Sequence, residues 1–320
     1  MSKKVVAFGG GTGLSTMLEG LKMYTPDITA VVSVADDGGS SGILRNDLGM
    51  LPPGDVRNCL SALSNTDPQL REIINFRFGE GSLKGHSLGN ILLAALNEMS
   101  ENFETAVAKL SSILGIVGKV YPVTNESITL RAVLANGGII DGESSIGEYS
   151  DAMWNRIERV ELVPANPMPA GGVLEAIAAA DIIVFGPGSL YTSVIPNLLV
   201  EGITDAVKKS GALKIYVCNI MTQRGETEGY TVSEHIAALE KHSYEGIADI
   251  TIVNNSLIPG ELRNKYMEEN AEPVHIDAEN ILKHSKLIQG NLVLVKDGLI
   301  RHNFSRLART IVQVGDGFCG

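Results

Sequence analysis

Cysteine, positive charge and long apolar runs are all scarce in this chain, and each shortage closes off a class of protein. Only three cysteines occur, Cys59, Cys218 and Cys319, far apart and odd in number. They offer neither a disulfide framework nor the spacing of a zinc site, so a reducing compartment, the cytoplasm, is the expected location. No apolar run approaches the roughly 20 residues that span a bilayer, and no membrane insertion is expected. Met1-Ser2-Lys3-Lys4 leads straight into a strand, without the apolar core or cleavage pattern of a signal peptide. The 26 Lys and Arg residues are outnumbered by 37 Asp and Glu, a net charge of −11. That balance argues against nucleic acid as a partner, although one basic pocket can still hold a phosphate. Internal repeats, low-complexity tracts, a G-x-S-x-G elbow and a Ser-His-Asp order are also missing, which weakens hydrolase readings. Nothing in the sequence calls for haem, flavin or zinc.

Glycine is what the chain has in quantity, 35 in 320 residues, beside 44% hydrophobic residues. That suffices for a large core, and with no break in composition a single α/β domain over 1–320 is expected. Apolar strand-like runs alternate with helical patterns, which predicts a mostly parallel sheet covered on both faces. Strands are expected at Lys4 to Gly9, Ile28 to Val34, Val160 to Val163, Asp181 to Phe185, Lys214 to Cys218, Ile250 to Val253 and Leu292 to Val295. A long connection without structure is expected from Ala35 to Asp55, with Asp55 capping the next helix. A helix through Leu88, Ile91, Leu92, Ala95, Leu96 and Met99 should bury that stripe, with a second helix from Phe103 to Leu114. Asn136-Gly137 between two apolar runs predicts an antiparallel hairpin at the edge of the sheet.

Two glycine-rich segments near the start carry the first chemical signal. Val5-Val6-Ala7-Phe8 runs into Gly9-Gly10-Gly11-Thr12-Gly13-Leu14-Ser15, a strand, a turn and a helix in order. Bare backbone N–H groups and a helix N-terminus suit an anion there, and Thr12 and Ser15 add hydroxyls. The alternative is a tight βα turn that needs small residues only. The turn fits neither G-x-G-x-x-G, where Leu14 or Thr16 replaces the third glycine, nor the Walker pattern, which needs Gly-Lys-Ser/Thr. An NAD-dependent oxidoreductase is disfavoured for the same reason. Asp36 and Asp37, before Gly38, Gly39 and Ser40, end the second strand, where a ribose or Mg²⁺ could be met; a solvated turn is the plain alternative.

Three further segments stand out. In Pro53-Gly54-Asp55-Val56-Arg57-Asn58 a cation sits in a first helical turn, against the helix dipole, so Arg57 either faces an anion or merely follows a cap. In Gly85-His86-Ser87-Leu88-Gly89-Asn90, His86 reads as a general acid or base, a phosphate donor, or a structural histidine, with Asn90 beside it. Gly186-Pro187-Gly188-Ser189, followed by Thr192 and Ser193, repeats the strand-turn-helix pattern. Two such turns could converge on one crevice, where doubly wound sheets bind ligands.

Taken as a set, these segments resemble the YvcK/CofD-like family, in particular its bacterial gluconeogenesis-factor branch. The resemblance implies a Rossmann-like three-layer α/β/α fold with a nucleotide-diphosphate site. In the transferase branch that site serves Mg²⁺-dependent transfer of 2-phospho-L-lactate from a guanosine-diphosphate donor to a deazaflavin; His86, Asp36 and Asp37 would be its catalytic candidates. In the bacterial branch the resemblance implies a UDP-sugar ligand, UDP-N-acetylglucosamine, and roles in gluconeogenic growth, cell shape and envelope synthesis. Tyr266 and Arg301 match the tyrosine and arginine used there for the nucleotide sugar. Where the transferase branch carries Gly-Pro-Ser-Asn-Pro, this chain has Gly186-Pro187-Gly188-Ser189-Leu190, which counts against phospholactate transfer. A homo-oligomer and a regulatory protein partner are further expectations.

Overall fold

A computed structural model describes residues 2–149 and 155–318. Seven strands form one parallel sheet: β1 Val5–Gly9, β2 Ile28–Val32, β3 Lys119–Pro122, β7 Ile182–Phe185, β8 Leu213–Val217, β9 Ile250–Asn254 and β10 Lys286–Gly290. Their order is β10-β9-β8-β7-β1-β2-β3, every neighbouring pair parallel. Counted along this sheet alone, the order is the doubly wound Rossmann arrangement with one strand added. All residues of β1 and β7 are buried, which is why these strands read as unbroken apolar runs: helices cover both faces.

The helix Gly11–Leu21 turns Leu14, Met17, Leu18 and Leu21 into the core and packs against Gly54–Leu63 and Phe304–Phe318. Gly20 allows the last contact, since a Cβ there would lie 2.2 Å from the Phe304 carbonyl oxygen.

The hairpin is present, with Gly137 at φ +85°, but it does not join the parallel sheet. Thr129–Leu134 (β4), Ile139–Asp141 (β5) and Ile157–Val163 (β6) make a separate antiparallel sheet in the order β5-β4-β6. The strand expected at Val160 to Val163 therefore serves the hairpin instead of continuing the parallel rhythm. The run near Leu292 is Val293–Lys296 (β11), hairpinned to Leu299–His302 (β12) through Asp297 and Gly298, both at positive φ. Three strands lie outside the sequence expectations: β3, which is four residues long and ends in proline, β10 and β12.

Two local expectations are corrected. The connection from Ala35 to Asp55 holds a helix, Gly39–Leu48, closed by Gly49 at φ +64°. Its serine and glycine start hid the helical period, but Gly42 has to be small because the Asp37 carbonyl lies 2.0 Å from where its Cβ would be. In the helix Leu88–Glu98 the buried residues are Gly89, Asn90, Leu93 and Ala94, while Leu92 and Met99 are 36% and 73% exposed. Gly89 lies against Arg57 and Ile74, and Asn90 bonds Arg57, so close approach and a polar network outrank the apolar stripe.

Candidate functional site

Because β1 and β7 are neighbours, the turns that leave them lie side by side where the strand order reverses. The contact is intimate: a Cβ on Gly13 would fall 2.5 Å from the Pro187 carbonyl oxygen and 3.0 Å from the Gly188 Cα. Gly10, the N-cap, is extended, and the helix starts without a side-chain cap. The Gly11 N–H meets the Asp55 carboxylate, which leaves the next amides, of Thr12 and Gly13, at the positive end of the helix. Gly11, at φ +62°, would have nothing within 4 Å of an added Cβ, so the turn opens directly onto space.

That space is a cavity of about 480 Å³, within the range of small-molecule sites. Of the residues expected from sequence, Gly10, Gly11, Thr12, Gly13, Asp36, Asp55, Gly188, Ser189, Tyr266 and Arg301 border it. Tyr266 comes from the helix Gly260–Glu268, and its hydroxyl accepts the Ile300 N–H at 3.0 Å, which fixes the ring beside β12. The Arg301 guanidinium donates to the Ile300 carbonyl at 3.4 Å, and no carboxylate lies within ion-pair distance of it among the described residues. It is therefore available to an anionic ligand.

The other expected residues support the cavity or face elsewhere. Gly9 ends β1 and its carbonyl accepts from Ser33 N and Asn197 Nδ2. Gly186, at φ +75°, donates to Phe8. Thr192 donates to Glu226 at 3.0 Å. Asp36 accepts the Gly38 N–H at 2.9 Å, whereas Asp37 turns to the Ser144 N–H and does not border the cavity. Ser15 donates to carbonyls of its own helix and, with Asn58, lines a separate pocket of about 170 Å³.

Arg57, 7% exposed, donates to the amide oxygens of Asn58, Asn75 and Asn90. Asn90 in turn donates to Ser40 Oγ, which lies 2.9 Å from His86 Nδ1. The His86 segment and the Arg57 segment are thus brought together as one buried network outside the cavity. Asp55 is not the N-cap expected of it: the helix begins at Gly54, and the Asp55 carboxylate reaches back to the Gly11 N–H.

Several cavity residues were missed. Glu143 arrives from the helix Glu143–Glu148 beside the small sheet, with no local signal. Asn219 grips the Gly188 peptide from both sides, accepting its N–H at 3.1 Å and donating to its carbonyl at 2.8 Å. Its place just past an apolar strand could have revealed it, since ligands gather at strand C-termini. Ile300 and His302 come with β12, which the Asp297-Gly298 turn signal could have revealed.

Asp36, Asp55 and Glu143 give the cavity an acidic wall. Burial, then the nearby Asp36 charge, pushes the Asp55 carboxyl up to about 6. Burial, with Asp36, Glu226 and Asp55 adding to it, pushes Glu143 up to about 8. Behind them Glu226 accepts from Tyr191 N, Thr192 Oγ1 and Gln223 Nε2, and burial raises it to about 7 against those bonds. Among the described residues no three acids, histidines or cysteines gather closely enough to hold a metal ion unaided.

A parallel sheet in this order, with paired glycine turns over a polar cavity at its switch point, defines a Rossmann-like α/β protein. Within that class the chain belongs to the CofD family: the profile described as 2-phospho-L-lactate transferase CofD matches residues 5–293. It is 48% identical to the gluconeogenesis factor of Halalkalibacterium halodurans, covering 97% of this chain and 96% of that one. It is 45% identical to the gluconeogenesis factor of Bacillus subtilis, covering 97% and 98%. A crystal structure of a UPF0052 family protein from Bacillus halodurans superposes with a TM-score of 0.93 at 47% identity, covering 97% and 99% of the two chains.

Proposed function

We propose that this chain is a cytoplasmic nucleotide-sugar-binding regulator of the gluconeogenesis-factor kind, with UDP-N-acetylglucosamine as its ligand. The observation that carries the reading is the contact of two glycine turns at the switch point, open to a cavity that also holds an Arg301 free of carboxylates and the Tyr266 ring. The amides of the Gly10 to Gly13 turn and Thr12 would hold the diphosphate, Arg301 would pair with a phosphate, and Tyr266 would lie against base or sugar. The bound state would report carbon supply to cell-shape and envelope synthesis through a protein partner. Among the described residues no helix is long and apolar enough to cross a membrane.

Mg²⁺ fits the donor chemistry. Asp36, beside Asp55, supplies the hard oxygen this ion prefers, and the remaining oxygens would come from the diphosphate and water. When bound, the ion would offset the charge of a diphosphate lying next to these acids. Calorimetry with a nucleotide panel tests the reading: a folded chain that binds UDP-N-acetylglucosamine tightest supports it, and one that binds no UDP-sugar refutes it.

One observation favours a second reading, a transferase of the 2-phospho-L-lactate type. Asp55 and Glu143 are cavity carboxyls whose raised pKa values suit proton transfer near neutral pH. Of the sequence candidates for such chemistry, Asp36 borders the cavity, and His86 and Asp37 do not. Turnover of a nucleotide-linked donor with Mg²⁺ and a deazaflavin acceptor would establish this reading; its absence with all components present would end it.

A further inference from the structure

The helix Leu88–Glu98 is apolar on every side and carries no charged residue from Leu88 to Asn97. A helix of that composition belongs in an interior, yet only one side of this one is covered. Its inner face, Gly89, Asn90, Leu93 and Ala94, is buried, whereas Leu88 is half-buried and Leu92, Ala95 and Met99 are exposed. Those four outer residues follow one another at intervals of four, three and four, the spacing of a seam between two helices. The neighbouring helix Pro68–Asn75 widens this face. The Leu88 N–H donates to the Phe76 carbonyl at 2.9 Å, and Ile73 and Phe76 are 50% and 55% exposed. Together the seam and these two side chains leave on the order of 500 Å² of apolar surface open, toward the upper end of what a monomer shows in one patch. A stable interface buries about 800 Å² on each partner, and in homodimers about 65% of that is apolar. The patch therefore supplies the apolar share of one homodimer interface.

We infer that this face is where two copies of the chain pair, the helix Leu88–Glu98 of one lying against the same helix of the other about a twofold axis. Charge favours a second copy as the occupant. A twofold contact sets residues near the axis against themselves, so any charge there would meet its like. The chain as a whole carries −11, and this helix keeps its outer face free of charge through nearly three turns. Ala95, small and set between Leu92 and Met99 in the seam, lets the two backbones approach closely. Glu72 and Arg77, both exposed, flank Ile73 and Phe76 in the chain and supply the polar rim that an interface of this kind has. No residue of either helix borders the ligand cavity, so the pairing is independent of what that cavity holds.

Sedimentation equilibrium at micromolar concentration tests the inference, and the native chain should show twice the mass of one chain. Leu92→Glu and, separately, Ala95→Glu should weaken the pair by about a hundredfold or more, because each brings two like charges together near the axis. Both should keep the circular dichroism of the native chain. Leu257→Glu, at a residue 96% exposed in the loop after β9, is the control and should leave the mass unchanged. A second measurement does not depend on the glutamate variants folding. In Ala95→Cys combined with Cys319→Ser, a short bismaleimide should join two chains, since Cys59 and Cys218 are buried. A native chain that sediments as a monomer would overturn the inference and leave the face to a different partner. A dimer that withstands both folded glutamate variants would overturn it too, as would an Ala95→Cys dimer that the reagent fails to join.

Discussion

The packing of the two glycine turns can be tested by adding one methyl group, in the substitution Gly13→Ala. Gly13 has an ordinary helical φ, so alanine suits its backbone and in a helix interior gains about 1 kcal/mol of propensity over glycine. Steric contact opposes that gain. The new Cβ would sit 2.5 Å from the Pro187 carbonyl oxygen and 2.8 Å from its carbon, both backbone atoms that cannot rotate away. Restoring ordinary contact requires the turns to separate by about 1 Å, and such overpacking costs about 1–3 kcal/mol. The net expectation is a loss of up to ~2 kcal/mol, or a few degrees in melting temperature for a chain of this size. UDP-sugar affinity should fall by about tenfold or more, because the cradle itself has opened. Gly11→Ala is the control: at φ +62° with open space around it, it strains the backbone by about 1–2 kcal/mol without forcing the turns apart. Thermal melts with calorimetry on both variants decide the matter. A Gly13→Ala chain that melts at or above the parent temperature and binds like the parent would refute the packing argument.

The raised carboxyls set a pH dependence. Asp55, Glu143 and Glu226 hold protons to about 6, 8 and 7 in the fold, while the unfolded chain releases them near 4. The stability they contribute is therefore full below about 4 and is lost as pH rises from there through the folded values of about 6, 7 and 8; denaturant midpoints measured from pH 4 to 8 should fall, and Glu226→Gln should lessen the slope between about 4 and 7. An anionic diphosphate beside Asp55 and Glu143 raises both further, so binding without Mg²⁺ should take up protons; calorimetry in buffers of different ionisation enthalpy that finds none would contradict the placement of the phosphates. Arg301→Ala should weaken UDP-sugar binding by about ten- to a hundredfold with little change in melting temperature, since the native guanidinium has no carboxylate partner among the described residues. An unchanged affinity would remove Arg301 from the site.

Much of the parallel sheet was legible because buried strands write unbroken apolar runs, as in Val5–Gly9 and Ile182–Phe185. The glycine turns were legible for a second reason. Only glycine tolerates backbone packed on backbone, so Gly13 and Gly188 mark in sequence where two turns touch in space. What stayed hidden is governed by partners distant in the chain. The face of Leu88–Glu98 is set by Arg57, 33 residues from Asn90, and not by its own periodicity. Glu143 reaches the cavity because Asp37 holds the neighbouring Ser144 amide, a pairing 107 residues apart that no local pattern records.

The same contrast explains how the site divides its work. The turns after β1 and β7 are fixed by sterics and by Asn219, which occupies both polar groups of the Gly188 peptide. The Gly188 backbone is already paired, so in the proposed site the diphosphate would fall to the amides that follow Gly11 in Gly11–Leu21, and the second turn would act as a wall. Specificity has to come from elements that close the cavity from the far end of the chain, the helix Gly260–Glu268 and β12, tied together by Tyr266 Oη and Ile300 N. A phosphate cradle needs only backbone and is common to many nucleotide-binding folds. A distinction between one base or sugar and another needs side chains such as Tyr266 and Ile300, and here the second stands on a small hairpin outside the parallel sheet. Exchange of the hairpin residues other than Arg301 should therefore alter which ligand binds while leaving the proposed diphosphate site and the core intact.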